Sequence, residues 1–221
     1  SDRRQRQMCI RDSADGFHFL EGPRWRDNRL WISDMHGHKV HTIDANGNTD
    51  TIAEVPNQPS GLGWLPDGSL VVVSMLDRKL MKINEGNLRL HSDMSHLTPF
   101  QCNDMVIAKD GTAYVGNFGA DNAESNIKKT SLIAVSPEGK AKICASDLLF
   151  PNGAVITEDG KELIVGETFG GTLTSFKISK PGELINKNNW ANVMPKRYQI
   201  ITSIIRFLNI SLKESNNVPF P

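Results

Sequence analysis

The segment FPNGAVITEDGKELIVGETFGGTLTSFKI, residues 150–178, holds one complete structural unit. Residues 153–157 are a short apolar run. Glu158-Asp159-Gly160-Lys161 is a tight turn, and 163–165 is a second apolar run. Phe169-Gly170-Gly171 turns the chain again, and 173–178 alternates apolar and polar residues. Short strands separated by Asp-Gly and Gly-Gly pairs describe an antiparallel meander. Just ahead of its first strand sits Asn152, a polar residue opening an apolar segment.

Working outward, the same unit recurs. GPRWRDNRLWISDMHGHKVHTID (22–44) is followed by an outer strand at 49–55. GLGWLPDGSLVVVSMLDRKLMKI (61–83) is followed by 88–92. DMVIAKDGTAYVGNFG (104–119) is followed by 131–135 and 141–145, and the first-quoted segment by 183–191. Asp67-Gly68, Asp110-Gly111 and Asp159-Gly160 mark equivalent turns, and 39–43 and 79–83 alternate with period two. Four-stranded units repeating every ~40–50 residues predict an all-β fold of propeller blades. The competing architecture is a β-sandwich, whose strands need not repeat in register.

The position ahead of each inner strand is Glu21, Ser60, Asn103 and Asn152 in the four copies. Innermost strands line a propeller's channel, so equivalent positions converge on one axis at one face. Glu21, Asn103 and Asn152 would bring a carboxylate and two amide carbonyls to one point. That donor set suits a hard divalent cation such as calcium, magnesium or manganese. Each residue alone also reads as turn chemistry: Glu21 before Gly22-Pro23, Asn103 at a strand start, Pro151-Asn152-Gly153 as a turn.

Other polar residues carry less. His36 and His38 of HGHKVH share a strand face while His41 opposes them, which argues against a three-histidine site; His36 fits the channel mouth. Asp34 and Glu167 close second strands, as turn caps or as supports for the axial groups. Ser60 has no His/Asp pair at an informative spacing for a hydrolase triad. Asp121 and Glu124 lie in a long polar loop, fitted either to cover the channel or to stand in solvent.

The 221 residues balance 25 Lys and Arg against 25 Asp and Glu, so no charge excess points to nucleic acid or an anionic membrane. No apolar run approaches the ~18 residues of a spanning helix. Cys9, Cys102 and Cys144 form no CxxC pair, and a reducing, cytoplasmic setting is the expectation. Residues 1–13 stand apart: RRQRQMCIRD (3–12) reads as a translated sequencing adaptor or as a basic arm. Residues 14–193 form the repeat region. Residues 194–221 contain neither Gly nor Asp. Ile200, Ile201, Ile204, Ile205 and Leu208 are spaced for a helix, and a non-native origin is the competing reading.

LEGPRW (20–25), SDMHGHKV (33–40), PSGLGWLPDGSLVV (59–72), NDMVIAKDGTAYVGNFG (103–119) and FPNGAVITEDGKELIVGET (150–168) resemble the family of senescence marker protein (regucalcin), gluconolactonase and luciferin-regenerating enzyme. The resemblance runs from about residue 17 to 191. It implies a six-bladed propeller, about four blades of which lie in this chain as an open arc. It also implies one divalent cation (Ca2+, Zn2+, Mg2+ or Mn2+) and hydrolysis of sugar lactones or related lactones. A non-catalytic scaffold or calcium-binding protein is the alternative. By resemblance Glu21 and Asn152 are metal ligands, and Asn103 stands at both metal and substrate. Asn103 and Asp104 fall at the catalytic motif, with Gln101 and His36 towards substrate.

Two departures stand out. Gln101 replaces an Arg that binds substrate in some members. The Asp expected in a Pro-Asp-Gly context soon after residue 195 is missing, for no Asp follows Asp159. The resemblance therefore implies an incomplete copy, without its full ligand and base set. Blade faces carrying Trp31, Val72, Val115 and Ile164 would need other cover, which predicts self-association.

Overall fold

The computed structural model describes residues 14–120 and 127–193. The expectations for 1–13, for Asp121 and Glu124, and for the helical tail at 194–221 fall outside those residues. The described chain is all β, in four antiparallel sheets of four sequential strands. Blade 1 holds β1 (Leu20–Arg26), β2 (Arg29–Asp34), β3 (Lys39–Asp44) and β4 (Thr49–Glu54). Blade 2 holds β5 (Pro59–Trp64), β6 (Leu70–Ser74), β7 (Lys79–Asn84) and β8 (Asn87–Asp93). Blade 3 holds β9 (Cys102–Ile107), β10 (Ala113–Asn117), β11 (Thr130–Val135) and β12 (Ala141–Leu148). Blade 4 holds β13 (Pro151–Ile156), β14 (Glu162–Glu167), β15 (Thr172–Lys180) and β16 (Glu183–Asn192).

The first strands β1, β5, β9 and β13 contact one another in succession, as the inner strands of propeller blades do. A two-sheet sandwich buries one face of each sheet, whereas here blade 2 is covered on one face by blade 3 and on the other by blade 1. The Asp-Gly turns fall where the sequence places them. Gly68, Gly111 and Gly160 all have positive φ, which side-chain-bearing residues rarely adopt.

Period-two alternation divides each blade between its two neighbours. On β6, Val71 and Val73 pack towards Met105, Val115 and Ile133 of blade 3. Leu70 and Val72 pack the other way, with Val40, Val55 and Trp31 of blade 1. On blade 3, Tyr114, Leu132 and Ala134 meet Leu163, Val165 and Phe176 of blade 4. This corrects one expectation: Trp31, Val72 and Val115 fill interfaces between blades and form no uncovered end face. Alternation tells which residues share a face, but not on which side the next blade lies. Full burial of each such side chain contributes ~1.5–3 kcal/mol, so the interfaces hold the blades together.

Close approach of the inner strands depends on two glycines. A Cβ at Gly22, where φ is +58°, would stand 2.7 Å from the Ser60 carbonyl oxygen. One at Gly61 would stand 2.4 Å from the Met105 nitrogen. Blades 1, 2 and 3 therefore meet backbone to backbone near the axis.

Candidate functional site

Glu21, Ser60, Asn103 and Asn152 are each the second residue of an inner strand. The sequence reading puts them just ahead of those strands, and the difference has a structural cause. The first residue of each inner strand already pairs with the last residue of the second strand: Leu20 with Asp34, Pro59 with Ser74, Cys102 with Asn117, Pro151 with Glu167. A register shift follows in all four blades. Such bulges re-aim the side chains beside them, and they recur next to functional sites.

Three of the four residues join directly. Ser33 Oγ of blade 1 donates to the Ser60 carbonyl oxygen at 2.6 Å. Ser60 Oγ donates to Asn103 Oδ1 at 3.2 Å, and Asn103 Nδ2 to Asn152 Oδ1 at 2.9 Å. Asn152 Nδ2 then donates to Thr168 Oγ1 at 3.3 Å. One hydrogen-bonded chain thus crosses all four blades, and Ser60, Asn103 and Asn152 are buried along it. The polarity of the chain matters. Asn152 Oδ1 accepts one hydrogen bond and keeps a second lone pair. Asn103 keeps one Nδ2 hydrogen beyond the one it gives to Asn152.

Glu21 takes the equivalent position in blade 1 and makes no hydrogen bond to either asparagine. Burial, followed by the nearby Asp104 carboxylate, pushes its carboxyl up to about 7, against a hydrogen bond from the Gly22 N–H. Asp104 is held in turn by a residue the sequence reading missed. Arg24 reaches from blade 1 past blade 2, and its Nη2 donates to Asp104 Oδ1 at 2.9 Å and to the Met105 carbonyl at 2.5 Å. Arg24 Nη1 donates to the Pro23 carbonyl, and the Met105 N–H also bonds Asp104 Oδ1. Asp104 therefore presents only Oδ2 without a hydrogen-bond partner. In the sequence Arg24 is one basic residue beside a Gly-Pro turn, and nothing there signals an 80-residue reach.

A family model described as the SMP-30/gluconolactonase/LRE-like region matches residues 19–200. The chain belongs to this family. Among solved structures it is similar to a gluconolactonase from Xanthomonas campestris, with TM-score 0.70 and 23% identity. That match covers 82% of this chain and 65% of the other. A calcium-binding protein, regucalcin, from Agrobacterium tumefaciens gives TM-score 0.69 at 19% identity, over 84% of this chain and 63% of that one. A luciferin-regenerating enzyme gives TM-score 0.68 at 17% identity, over 80% and 61%. These likenesses show the fold, and this chain spans just under two thirds of the length of those relatives. No curated protein matches the sequence.

Around the axial group of this family member runs a rim with its own fourfold repeat. Phe19, Gln58, Gln101 and Phe150 each precede an inner strand. Their carbonyls accept from the N–H groups of Met35, Met75, Phe118 and Thr168, at 2.8, 2.9, 3.0 and 3.0 Å. Gln101 thus sits on the rim two residues ahead of Asn103. His36, in the turn after β2, lies at the same end of the blades and is exposed; its Nδ1 is 3.4 Å from Gln58 Nε2. The other histidines separate. His38 meets the Pro56 carbonyl, and the buried His41 packs on Phe17. Among the described residues no three His, Cys, Asp or Glu side chains gather as a metal group. A cation here would rest on one carboxylate and neutral oxygens.

Asp34 and Glu167 hold loops in place. Asp34 accepts from the backbone N–H groups of His18, Phe19 and Gly37. Burial works against its ionisation, but those bonds outweigh it and hold the carboxyl at about 2. Glu167 accepts from the Leu149 N–H at 2.6 Å and from Thr174 Oγ1. Each fixes the segment that leads into its inner strand.

Proposed function

We propose that the chain is a divalent-cation-dependent hydrolase of lactones, taking sugar lactones or related cyclic esters. The observation that carries this reading is the axial polar set: Glu21, Asn103 and Asn152 share one register position, and Asn103 Nδ2 donates to Asn152 Oδ1 at 2.9 Å while Ser60 holds its Oδ1. The half-buried Glu21 carboxyl and the spare Asn152 lone pair fit a hard cation, Ca2+, Zn2+, Mg2+ or Mn2+. Glu21 and Asn152 would hold it, with Asn103 beside it towards substrate. When bound, such an ion polarises an ester carbonyl and acidifies water.

The chain's own residues supply the remainder. Asn103 would donate its free Nδ2 hydrogen to the lactone carbonyl oxygen as charge develops there. Asp104 Oδ2, the oxygen that Arg24 leaves without a partner, would accept the proton of an attacking water. Gln101 and His36 would meet the ring substituents from the rim. Hydrolysis adds water across the ring C–O bond and releases a hydroxy acid. Membership of a family that includes gluconolactonases supports the reaction class.

A second reading, cation binding without hydrolysis, is favoured by the double engagement of Asp104 Oδ1. One experiment separates the two. Calorimetric titration with Ca2+, Mn2+ and Zn2+ is run beside pH-stat hydrolysis of glucono-δ-lactone, with and without chelator. Cation binding with chelator-sensitive turnover supports the hydrolase. Binding without turnover selects the second reading, and no binding removes both.

A further inference from the structure

We infer that Phe118, Phe150 and Phe169 form an aromatic wall over the axial asparagines, and that this wall selects lactones carrying an aryl or other apolar substituent. The inference rests on the lactone-site reading above and narrows its substrate class. The three rings stack in series, with centroids 4.5 Å apart from Phe118 to Phe150 and 5.2 Å from Phe150 to Phe169, both edge to face. Backbone bonds fix the wall to the site. The Phe118 N–H bonds the carbonyl of Gln101, two residues ahead of Asn103. Thr168, which bonds the Phe150 carbonyl through its N–H, holds the Asn152 amide through its hydroxyl. Phe169 is the next residue.

The gradient of exposure gives the wall its function. Phe150 is 7% exposed and anchored between its neighbours, while Phe169 is 49% exposed. A large exposed aromatic at the outer end of an anchored ladder offers a face to an apolar partner. The rim residues Gln101 and Gln58 are neutral amides, so nothing in the rim repeat itself demands a charged ligand. A polyhydroxylated ring could hydrogen-bond the rim at Gln101 and His36, but its hydroxyls on the side of the three phenyl rings would find no partner, whereas an arene fits there. A lactone fused to a benzene ring places its carbonyl towards Asn103 and its arene against Phe169.

The test uses the full chain with calcium. Its probes are dihydrocoumarin, glucono-δ-lactone and dihydroquinolinone, the lactam analogue of dihydrocoumarin that resists hydrolysis. The wild type is expected to bind the lactam by calorimetry, with Phe169→Ser weakening it about tenfold, the size of one lost aromatic contact. The ratio of kcat/KM for dihydrocoumarin over glucono-δ-lactone should fall by a similar factor, through KM. Phe169→Tyr, which keeps the ring, should restore both. Failure of the wild type to bind the lactam, or equal loss on both lactones in Phe169→Ser, overturns the inference. Lactam binding sensitive to Phe169 without hydrolysis of either lactone would uphold the wall and sink the hydrolase reading instead.

Discussion

Asn103 Nδ2 lies 2.9 Å from Asn152 Oδ1, so the amides of two different blades are fixed against each other at the axis. The direction of that bond is set from behind, because Ser60 donates to Asn103 Oδ1. Ser60 is thus a positioning residue for Asn103. Ser60→Ala should weaken cation binding about fivefold, near the ~1 kcal/mol of a buried hydrogen bond. In an Asn103→Ala background the same change should cost little more, since the route through Asn103 is already gone. Calorimetry on the four proteins of this cycle checks it; additive losses would show that Ser60 acts elsewhere.

Glu21 should make the cation-free protein less stable as it ionises. Its folded-state value of about 7 lies above the ordinary 4.5. The stability it lends is complete below the unfolded value and is lost as pH rises through about 7. After allowance for partial exposure the loss is about 2 kcal/mol. Urea titrations at pH 5 and pH 8 should show this difference in the wild type with chelator present, and Glu21→Gln should flatten it. Glu21→Gln should also weaken calcium binding at least tenfold, and unchanged affinity would remove Glu21 from the ligand set.

The blade repeat and the axial register were legible because both depend on local signals. Asp67-Gly68, Asp110-Gly111 and Asp159-Gly160 mark turns, and alternation marks faces. Asn152 read as preceding its strand because Pro151-Asn152-Gly153 is turn chemistry. Only the pairing of Pro151 with Glu167 carries the ladder past it. Arg24 and the Phe118–Phe150–Phe169 ladder were not legible, since their partners lie far away in sequence. Ser60 stood in the register but offered no chemistry of its own until Asn103 was placed beside it.

Arg24 ties blade 1 to blade 3 through Asp104 and the Met105 carbonyl. Both charged side chains are mostly buried, at 23% and 13% exposure, so the pair is screened less than one on the surface. Arg24→Met leaves the Asp104 carboxylate without its cation and should cost about 2–3 kcal/mol. Arg24→Lys should recover little of this, because one ammonium cannot reproduce the guanidinium's fork towards three oxygens. Urea unfolding of both variants decides the point; a Lys variant as stable as wild type would reduce the contact to simple charge pairing.

Asp34 gives the last test, on the segment that delivers Glu21 to the axis. Its carboxylate accepts from the His18, Phe19 and Gly37 N–H groups. A Cβ at Gly37 would lie 2.2 Å from Asp34 Oδ2, so the β2–β3 turn is wrapped directly on the carboxylate. The folded-state value of about 2 lies below the ordinary 3.8. The stability it contributes is therefore present above the unfolded value and is lost as pH falls through about 2. At neutral pH the shift corresponds to about 2 kcal/mol. Asp34→Ala orphans three backbone donors and should cost more, ~2–4 kcal/mol, whereas Asp34→Asn keeps one acceptor and should cost about half as much. Because His18 and Phe19 lead straight into β1, Asp34→Asn should also weaken calcium binding, although Asp34 is not among the proposed ligands. Acid unfolding followed between pH 5 and pH 2, beside calcium calorimetry, measures both effects. A variant with the acid unfolding curve of the wild type would show that the carboxylate does not hold this segment in place.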